Sequence, residues 1–519
     1  MNLLSAAAKV STITMLSRVT GLIRETLIAR AFGASEMTDA FNVAFRIPNL
    51  LRRLFAEGAF SQAFVPILSE INSTQGPDQA KKLINVVSTL LFWSLLVTVI
   101  FGVVFAPLLI LAIATGFQDK QTFEITVVLT QIMFPYIGLI SLVSLAAGIL
   151  NTHQRFVIPA LTPTLLNVGI ILAALFLAPQ LTTPIYALAI GVLVGGLCQL
   201  ILQVPVLLKI GLLPRIGLGY QRLRQAASDP DAKRVLKLMG PAIFAVSVAQ
   251  ISLLINTNIA SHLTAGSVSW LSYADRLMEF PTALLGVAVG TVLLPSLSKA
   301  NAQGHTELAS QLITWGIRLT FLLATPAALA LFIFGEPLAA ALYHYGKFTS
   351  HDVEMTRLAL QAYGVGLIGL ILVKILAPGF YSRQNIKTPV KIALIVLICT
   401  QLLNLVFVPL FAHAGLALSI GVGACLNAAL LWIGLARRGG VSFGKQAWWK
   451  FFVQLGVGLV IFGVILGFGA NYHDWIAMSA NPMSRIFLML AWGALAMLGY
   501  FMTLWICGIR FKEFLRHAS

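Results

Sequence analysis

Long apolar runs alternate with short polar breaks along the whole 519-residue chain. A helix that crosses a membrane needs about 20 predominantly apolar residues. On that measure the runs predict spans at roughly 10–33, 38–68, 83–113, 122–151, 159–178, 184–208, 235–263, 268–298, 308–334, 353–382, 388–411, 414–436, 447–469 and 484–508. This pattern describes an all-α polytopic membrane protein of about fourteen transmembrane helices. The connections are short. The longest are about 209–234 on one side and about 335–352 on the other.

The pattern repeats at an offset of about 230 residues. Phe64-Val65-Pro66-Ile67-Leu68-Ser69-Glu70 falls on Leu293-Leu294-Pro295-Ser296-Leu297-Ser298-Lys299. Ala187-Leu188-Ala189-Ile190-Gly191-Val192 falls on Ala417-Leu418-Ser419-Ile420-Gly421-Val422, and Gln154 and Pro159 fall on Gln384 and Pro389. A constant offset across separated pieces is not a chance property of apolar sequence. Each copy holds six spans, an even number, so both copies share one orientation. Parallel repeats related by an axis along the membrane normal are a transporter architecture, with the substrate site between the halves. The chain is expected to divide into an N-lobe at 1–210, a cytoplasmic linker at 211–234, a C-lobe at 235–438, and two further helices with a cytoplasmic tail at 439–519. The linker alternates Arg215, Arg222, Arg224, Lys233 and Arg234 with Leu213, Ile216, Leu218 and Leu223. Such a segment suits an interface of anionic lipid headgroups, or is a plain basic connection. The last two spans lie outside the repeat. Gly456, Gly458, Gly463, Gly467 and Gly469 give them small faces, which permit close helix approach or leave a furrow for a lipid chain.

Composition agrees with the pattern. Hydrophobic residues make up 58% and charged residues 10%, against about 25% charged in a soluble domain. The net charge of +17 is spread over short loops. With the N-terminus in the cytoplasm, Lys81, Lys82, Arg155, Lys299, Arg383, Lys387, Arg437, Arg438, Lys445, Arg510, Lys512 and Arg516 all fall inside. The outer loops hold only Lys120, Lys347 and, at a span boundary, Arg485. The positive-inside rule then puts both termini in the cytoplasm. No basic stretch is interleaved with stacking aromatics, which argues against nucleic acid as a partner. Arg18 and Arg24 interrupt the first apolar run, and no small-residue cleavage site follows, so it does not read as a signal peptide. Cys198, Cys399, Cys425 and Cys507 sit in apolar segments and read as small hydrophobes. The sequence holds no metal-ligand spacing, phosphate loop or nucleophile elbow in a usable context. No enzyme chemistry, metal or cofactor is expected.

The informative residues are charges inside apolar runs. A charge at the bilayer centre costs roughly 3 kcal/mol or more, so it usually faces a polar cavity. The stretch RIPNLLRRLFAEGAFSQAFVPILSE (46–70) carries Arg46, Arg52, Arg53 and Glu57, with Pro48 and Gly58 loosening the helix. The first span holds Arg18, Arg24 and Glu25, and the second also holds Asp39. Arg18 and Glu25 share a face, while Arg24 lies about 120° round the helix from Arg18. The eighth span, SWLSYADRLMEFPTALLGVAVG, places Asp275, Arg276 and Glu279 on one side, with Pro281 just beyond. Lys374 in the tenth span is a possible further cavity cation, or a lysine snorkelling to a surface that helix rise puts within ~15 Å. Arginine favours planar, bidentate contact with phosphate and stays charged everywhere. An excess of arginines therefore points to an anionic substrate, held by Arg18, Arg24, Arg52, Arg53 and Arg276. The cavity acids Glu25, Asp39, Glu57, Asp275 and Glu279 would orient or neutralise them. Interhelical ion pairs that only fix packing are the competing reading.

At these residues the chain resembles a known family. The opening MNLL, Thr38-Asp39-Ala40-Phe41, PNLLRRLFAEGAFSQAFVPILSE, SYADRLMEFP and APGFYSRQNIKTPVKIA are similar to the MurJ (MviN) lipid II flippases. The resemblance runs from the first residue to the C-terminal helices. It implies the multidrug, oligosaccharidyl-lipid and polysaccharide exporter superfamily: two six-helix lobes round a central cavity, and two extra helices forming a lipid-tail groove. It implies that Arg18, Arg24, Arg52 and Arg276 match the family's functional arginines. It also implies a flippase moving undecaprenyl-diphosphate-linked peptidoglycan precursor from the inner to the outer leaflet of the bacterial cytoplasmic membrane. Membrane lipids and other cell-wall synthesis proteins are then candidate partners. Some members carry a sodium site with an aspartate in the seventh helix. The matching region here, Leu253-Leu254-Ile255-Asn256-Thr257-Asn258, holds no acid, nor does the eleventh with Gln401 and Asn404. Proton or sodium coupling stays open. A drug or cation antiporter of the same fold would want acids and aromatics in its cavity. A membrane glycosyltransferase would want a catalytic acid and a large outer loop.

Overall fold

The computed structural model describes residues 3–53, 59–117, 119–383, 385–437 and 445–510. Glu57, Gln384, Arg438, Lys512 and Arg516, all used above, lie outside these ranges. Among the described residues the chain is helical, with no strand. Two compact units divide between Val268 and Ser269.

The first unit contains α1 (Leu3–Phe32), α2 (Glu36–Arg52), α3 (Ala59–Thr74), α4 (Pro77–Val104), α5 (Ala106–Ile113), α6 (Lys120–Met133), α7 (Tyr136–Thr152), α8 (Val157–Leu172), α9 (Tyr186–Lys209), α10 (Tyr220–Ser228) and α11 (Pro230–Ser261). α12 (Ser267–Ala302) opens at the boundary. The second unit continues with α13 (Thr306–Ile333), α14 (Gly335–Tyr343), α15 (Ser350–Tyr381), α16 (Lys387–Ala436), α17 (Lys445–Tyr472) and α18 (Pro482–Ile506). The repeat assigns α11 to the second half, but α11 packs on α3, α5 and α10 and so falls in the first compact unit.

Nine helices among the described residues are long and apolar enough to cross a membrane. They cover predicted spans three to six and nine to fourteen, because the eleventh and twelfth merge in α16. α1, α11 and α12 have 30, 32 and 36 residues, beyond the roughly 20 that a crossing needs.

Local chemistry sets the helix ends. Ser35 caps α2 by accepting from the Thr38 amide. Asp229 caps α11 just before Pro230, which has no N–H to leave unmet. Thr349 and Asp352 form a reciprocal capping box on α15. The predicted break between 411 and 414 falls on Ala412, at φ 48° and ψ −127°. Two features depart from expectation. The 335–352 connection contains the short helix α14, and the linker contains α10. Asn85 Oδ1 accepts from the Arg215 amide at 2.8 Å, Thr89 Oγ1 from the Gly217 amide at 2.9 Å, and Trp93 Nε1 donates to the Gly217 carbonyl at 2.9 Å. These bonds fasten the linker to α4.

The repeat recurs in backbone detail. Phe105, between α4 and α5, has φ −95° and ψ 14°, and Phe334, between α13 and α14, has φ −103° and ψ 17°. Gly76 before α4 and Gly304 before α13 both take positive φ, 90° and 73°. The first core joins Ile28, Phe41, Leu129, Met133, Leu166, Ile170 and Leu188. The second joins Leu293, Ile313, Ile317, Leu372, Ile375, Phe380 and Leu431. α17 and α18 pack on each other and on α13 and α14 respectively. A Cβ at Gly458 would lie 2.9 Å from Leu504 Cδ2, and one at Gly469 would lie 2.6 Å from Trp492, so these two glycines seat α18. Gly463 and Gly467 face Ile333 of α13, and Gly456 is open.

Candidate functional site

α1 brings Arg24 and Glu25 into the interior of the first unit, each 7% exposed. Residues one apart do not share a helix face, yet the long guanidinium swings back so that Nη2 ion-pairs with Glu25 Oε1. Nη1 donates to Asn167 Oδ1 on α8 at 3.0 Å. Asn167 Nδ2 donates in turn to the Ser17 carbonyl at 3.0 Å and to Thr20 Oγ1 at 3.2 Å. Arg24 Nε is buried with no partner. Arg18, nearer the start of α1, is half-buried.

α2 positions the next group. Asp39 is 3% exposed and accepts from the Gly266 amide at 2.8 Å, one residue before α12. Arg52 Nε donates to Asn49 Oδ1 at 3.1 Å. Arg46, Arg52 and Arg53 are all half-buried. The bonded groups Glu70 and Arg234 join α3 to α11 through two parallel bonds of 2.9 and 2.8 Å. The Arg234 guanidinium holds the Glu70 carboxyl below its usual pKa, and Glu70 in turn raises that of Arg234.

α12 carries the second-unit cluster. Arg276 Nη1 donates to Glu279 Oε2 at 3.0 Å, with both side chains 40% exposed. Asp275 is exposed, and so is Lys374 on α15. The two arginine pairs differ in strength. An accessible i,i+3 pair contributes only about 0.3–0.5 kcal/mol. Removing one partner of a buried pair such as Arg24–Glu25 costs about 3–5 kcal/mol.

Three arrangements escaped the sequence. Asn167 is one. Its only signal was a carboxamide in the middle of an otherwise apolar stretch of the fifth span. The second is Trp270, whose Nε1 donates to Asp352 Oδ1 at 2.9 Å and whose ring lies 5.0 Å from that of His413. The third is Arg485. Expected at an outer boundary, it is fully buried. It donates to the His344 carbonyl at 2.9 Å, the Trp475 carbonyl at 3.1 Å and His344 Nδ1 at 3.3 Å, and stacks 4.6 Å from the Tyr345 ring centre. Burial, and then the Arg485 charge, push the His344 pKa down. Among the residues searched, no group of histidine, cysteine and acidic side chains could hold a metal ion.

Comparison with known proteins extends these observations. The family model described as Lipid II flippase MurJ matches residues 28–485. The chain is 57% identical to the lipid II flippase MurJ of Burkholderia cenocepacia over 100% of both chains. It is 38% identical to the probable lipid II flippase MurJ of Vibrio cholerae, over 98% of this chain and 97% of that one. A solved structure of lipid II flippase MurJ in an inward closed conformation superposes with a TM-score of 0.80 at 25% identity, covering 98% of this chain and 99% of that one. An inward-facing multidrug resistance MATE family transporter of the MOP superfamily shares the fold, with a TM-score of 0.65 at 14% identity over 83% and 98% of the two chains.

Proposed function

The chain belongs to the lipid II flippase MurJ family, and from that premise we propose how its charged helices serve the translocation of lipid II. It is a multi-pass membrane transporter. The physical problem is the headgroup. A diphosphate with sugars and peptide does not cross hydrocarbon, whereas the polyprenyl tail stays in lipid throughout. Arginines inside the spans supply the electrostatic stabilisation that water supplies at the surface. On this reading Arg18, Arg24, Arg52, Arg53 and Arg276 are the candidate contacts of the diphosphate. Glu25, Asp39, Glu57, Asp275 and Glu279 hold or orient those cations when substrate is absent.

The observation that carries this reading is the state of the guanidinium groups. Arg276 is half-exposed and pairs with Glu279, and Arg24 keeps a buried donor, Nε, without a partner. That Nε–H of Arg24 is a donor left for a phosphate oxygen. The work is conformational rather than covalent, so the protein is read as a transporter and not an enzyme. Alternating access between inner and outer leaflets exchanges the headgroup, and only an input with different affinity for the two states biases it. The membrane potential is our candidate for that input, worth about 2.3 kcal/mol per charge per 100 mV. We place the protein in the bacterial inner membrane with both termini cytoplasmic, on the charge asymmetry of its loops.

The test is depletion of the protein with leaflet-resolved labelling of lipid-linked precursors. Precursor should accumulate in the inner leaflet, and wild-type protein should restore its outward appearance. Arg24→Ala at matched expression should not. Full restoration by Arg24→Ala would remove Arg24 from the diphosphate site.

A further inference from the structure

The platform beneath Arg24 is built on α8 and α9. At Gly169 a Cβ would lie 2.8 Å from the Gly191 carbonyl oxygen and from Gly195 Cα, so the two backbones touch. Gln199 on α9 donates to the Thr162 carbonyl on α8 at 2.8 Å. Close-packed elements of this kind do not shift by small steps. Asn167 lies between these two anchor points on α8 and projects onto α1.

The amide of Asn167 has one workable orientation. Its Oδ1 faces the Arg24 Nη1 donor, and its Nδ2 faces the Ser17 carbonyl and the Thr20 hydroxyl. Turned over, donor would face donor at Arg24 and acceptor would face acceptor at Ser17. Asn167 therefore holds the plane of the guanidinium by the one nitrogen, Nη1, that lies away from the Nε edge. A guanidinium offers two bidentate edges, Nη1 with Nη2 and Nε with Nη2; with Nη1 bonded to Asn167 the second is the one left. Here Glu25 takes Nη2 alone, and Nε is buried with no acceptor.

We propose that Asn167 is the positioning residue of Arg24, fixing Nη1 so that the Nε–Nη2 edge donates to two oxygens of the substrate diphosphate when Glu25 withdraws. This rests on the reading that Arg24 contacts the diphosphate. Asn167 itself touches no substrate. The exchange makes no covalent bond. One carboxylate oxygen leaves Nη2, and two phosphate oxygens arrive at Nη2 and Nε.

The test measures binding of undecaprenyl diphosphate, with undecaprenol as the uncharged control, to the purified full-length protein. The variants are Arg24→Ala, Asn167→Leu and the double substitution. Asn167→Leu should weaken diphosphate binding about tenfold, the loss of one charge-assisted hydrogen bond, and leave undecaprenol binding unchanged. The double variant should bind no more weakly than Arg24→Ala, because without the guanidinium there is nothing to position. A general packing role would add its loss in the Arg24→Ala background and would weaken undecaprenol equally. Either result overturns the inference. So does wild-type diphosphate binding by Asn167→Leu when Arg24→Ala binds weakly. Wild-type binding by Arg24→Ala removes the underlying reading and the inference together. If Asn167→Leu does not purify as a folded protein, Asn167→Ser, too short to reach Arg24, takes its place with the same expectations.

Discussion

At the scale of the residue, the arginines differ in what already holds them. Arg276 has a half-exposed acid three positions on. If its task is a bidentate diphosphate contact, Arg276→Lys should transport poorly, because lysine offers a point charge without a planar fork. Removing Glu279 as well should not rescue Arg276→Ala. Rescue by Arg276→Ala with Glu279→Gln, scored by complementation at matched expression, would mean that the pair serves packing alone. Arg485 has a different task. It donates to two buried carbonyls, at His344 and Trp475. Arg485→Met should lower unfolding free energy by about 1–3 kcal/mol for each carbonyl left unmet, read as a fall in melting temperature in detergent. His344 beside it has a pKa below the usual 6.5, from burial and then from the Arg485 charge. The unfolded chain therefore takes up the proton first as pH falls. The stability this histidine contributes is present above pH 6.5 and is lost as pH falls through the folded value. The melting temperature of wild type should drop more between pH 7.5 and 5.5 than that of His344→Gln. Equal drops would place the pH sensitivity elsewhere.

At the scale of the element, close backbone approach and one strained turn decide the geometry. A Cβ at Gly366 on α15 would lie 2.0 Å from Gly421 Cα on α16. Gly366→Ala should push these helices apart and cost about 1–3 kcal/mol, as overpacking does. Ala412 breaks α16 at a positive φ of 48°, a conformation that costs a non-glycine residue about 1–3 kcal/mol. Ala412→Gly should therefore raise the melting temperature, and Ala412→Val should lower it. A fall with glycine would show that the turn is not strained. The span pattern located this break, since 388–411 and 414–436 flank it. It did not reveal α14, because a helix of nine residues is too short to stand out as an apolar run.

At the scale of the whole molecule, the repeat and the charge asymmetry act together. On the proposed topology, six spans in each copy would give both copies one orientation, and the basic loops would set that orientation inward. A fluorescent protein that folds only in the cytoplasm should shine when fused after Ser519 and stay dark when inserted at Gly346. Bright fluorescence at Gly346 would invert the topology. The matching backbone angles at Phe105 and Phe334 show the repeat surviving locally where residue identity around it has drifted. α11 is where the two descriptions part. By repeat it opens the second half, but by packing it belongs with α3, α5 and α10.

Residue order by itself determined the class of molecule, the repeat and the positions of spans three to six and nine to fourteen, and it singled out charged residues as candidates. These depend on apolar length, period and the cost of charge in hydrocarbon, all of which act along the chain. Tertiary structure decided the partners. Arg24 and Asn167 are 143 positions apart, and Arg485 and His344 are 141 apart. Each contact exists because two helices pack at one particular rotation. Small differences in side-chain shape set that rotation, and no periodicity records it. The sequence could single out Arg24 as a candidate cation for an anionic substrate. Only the packed helices could leave its Nε without a partner and put Asn167 at Nη1.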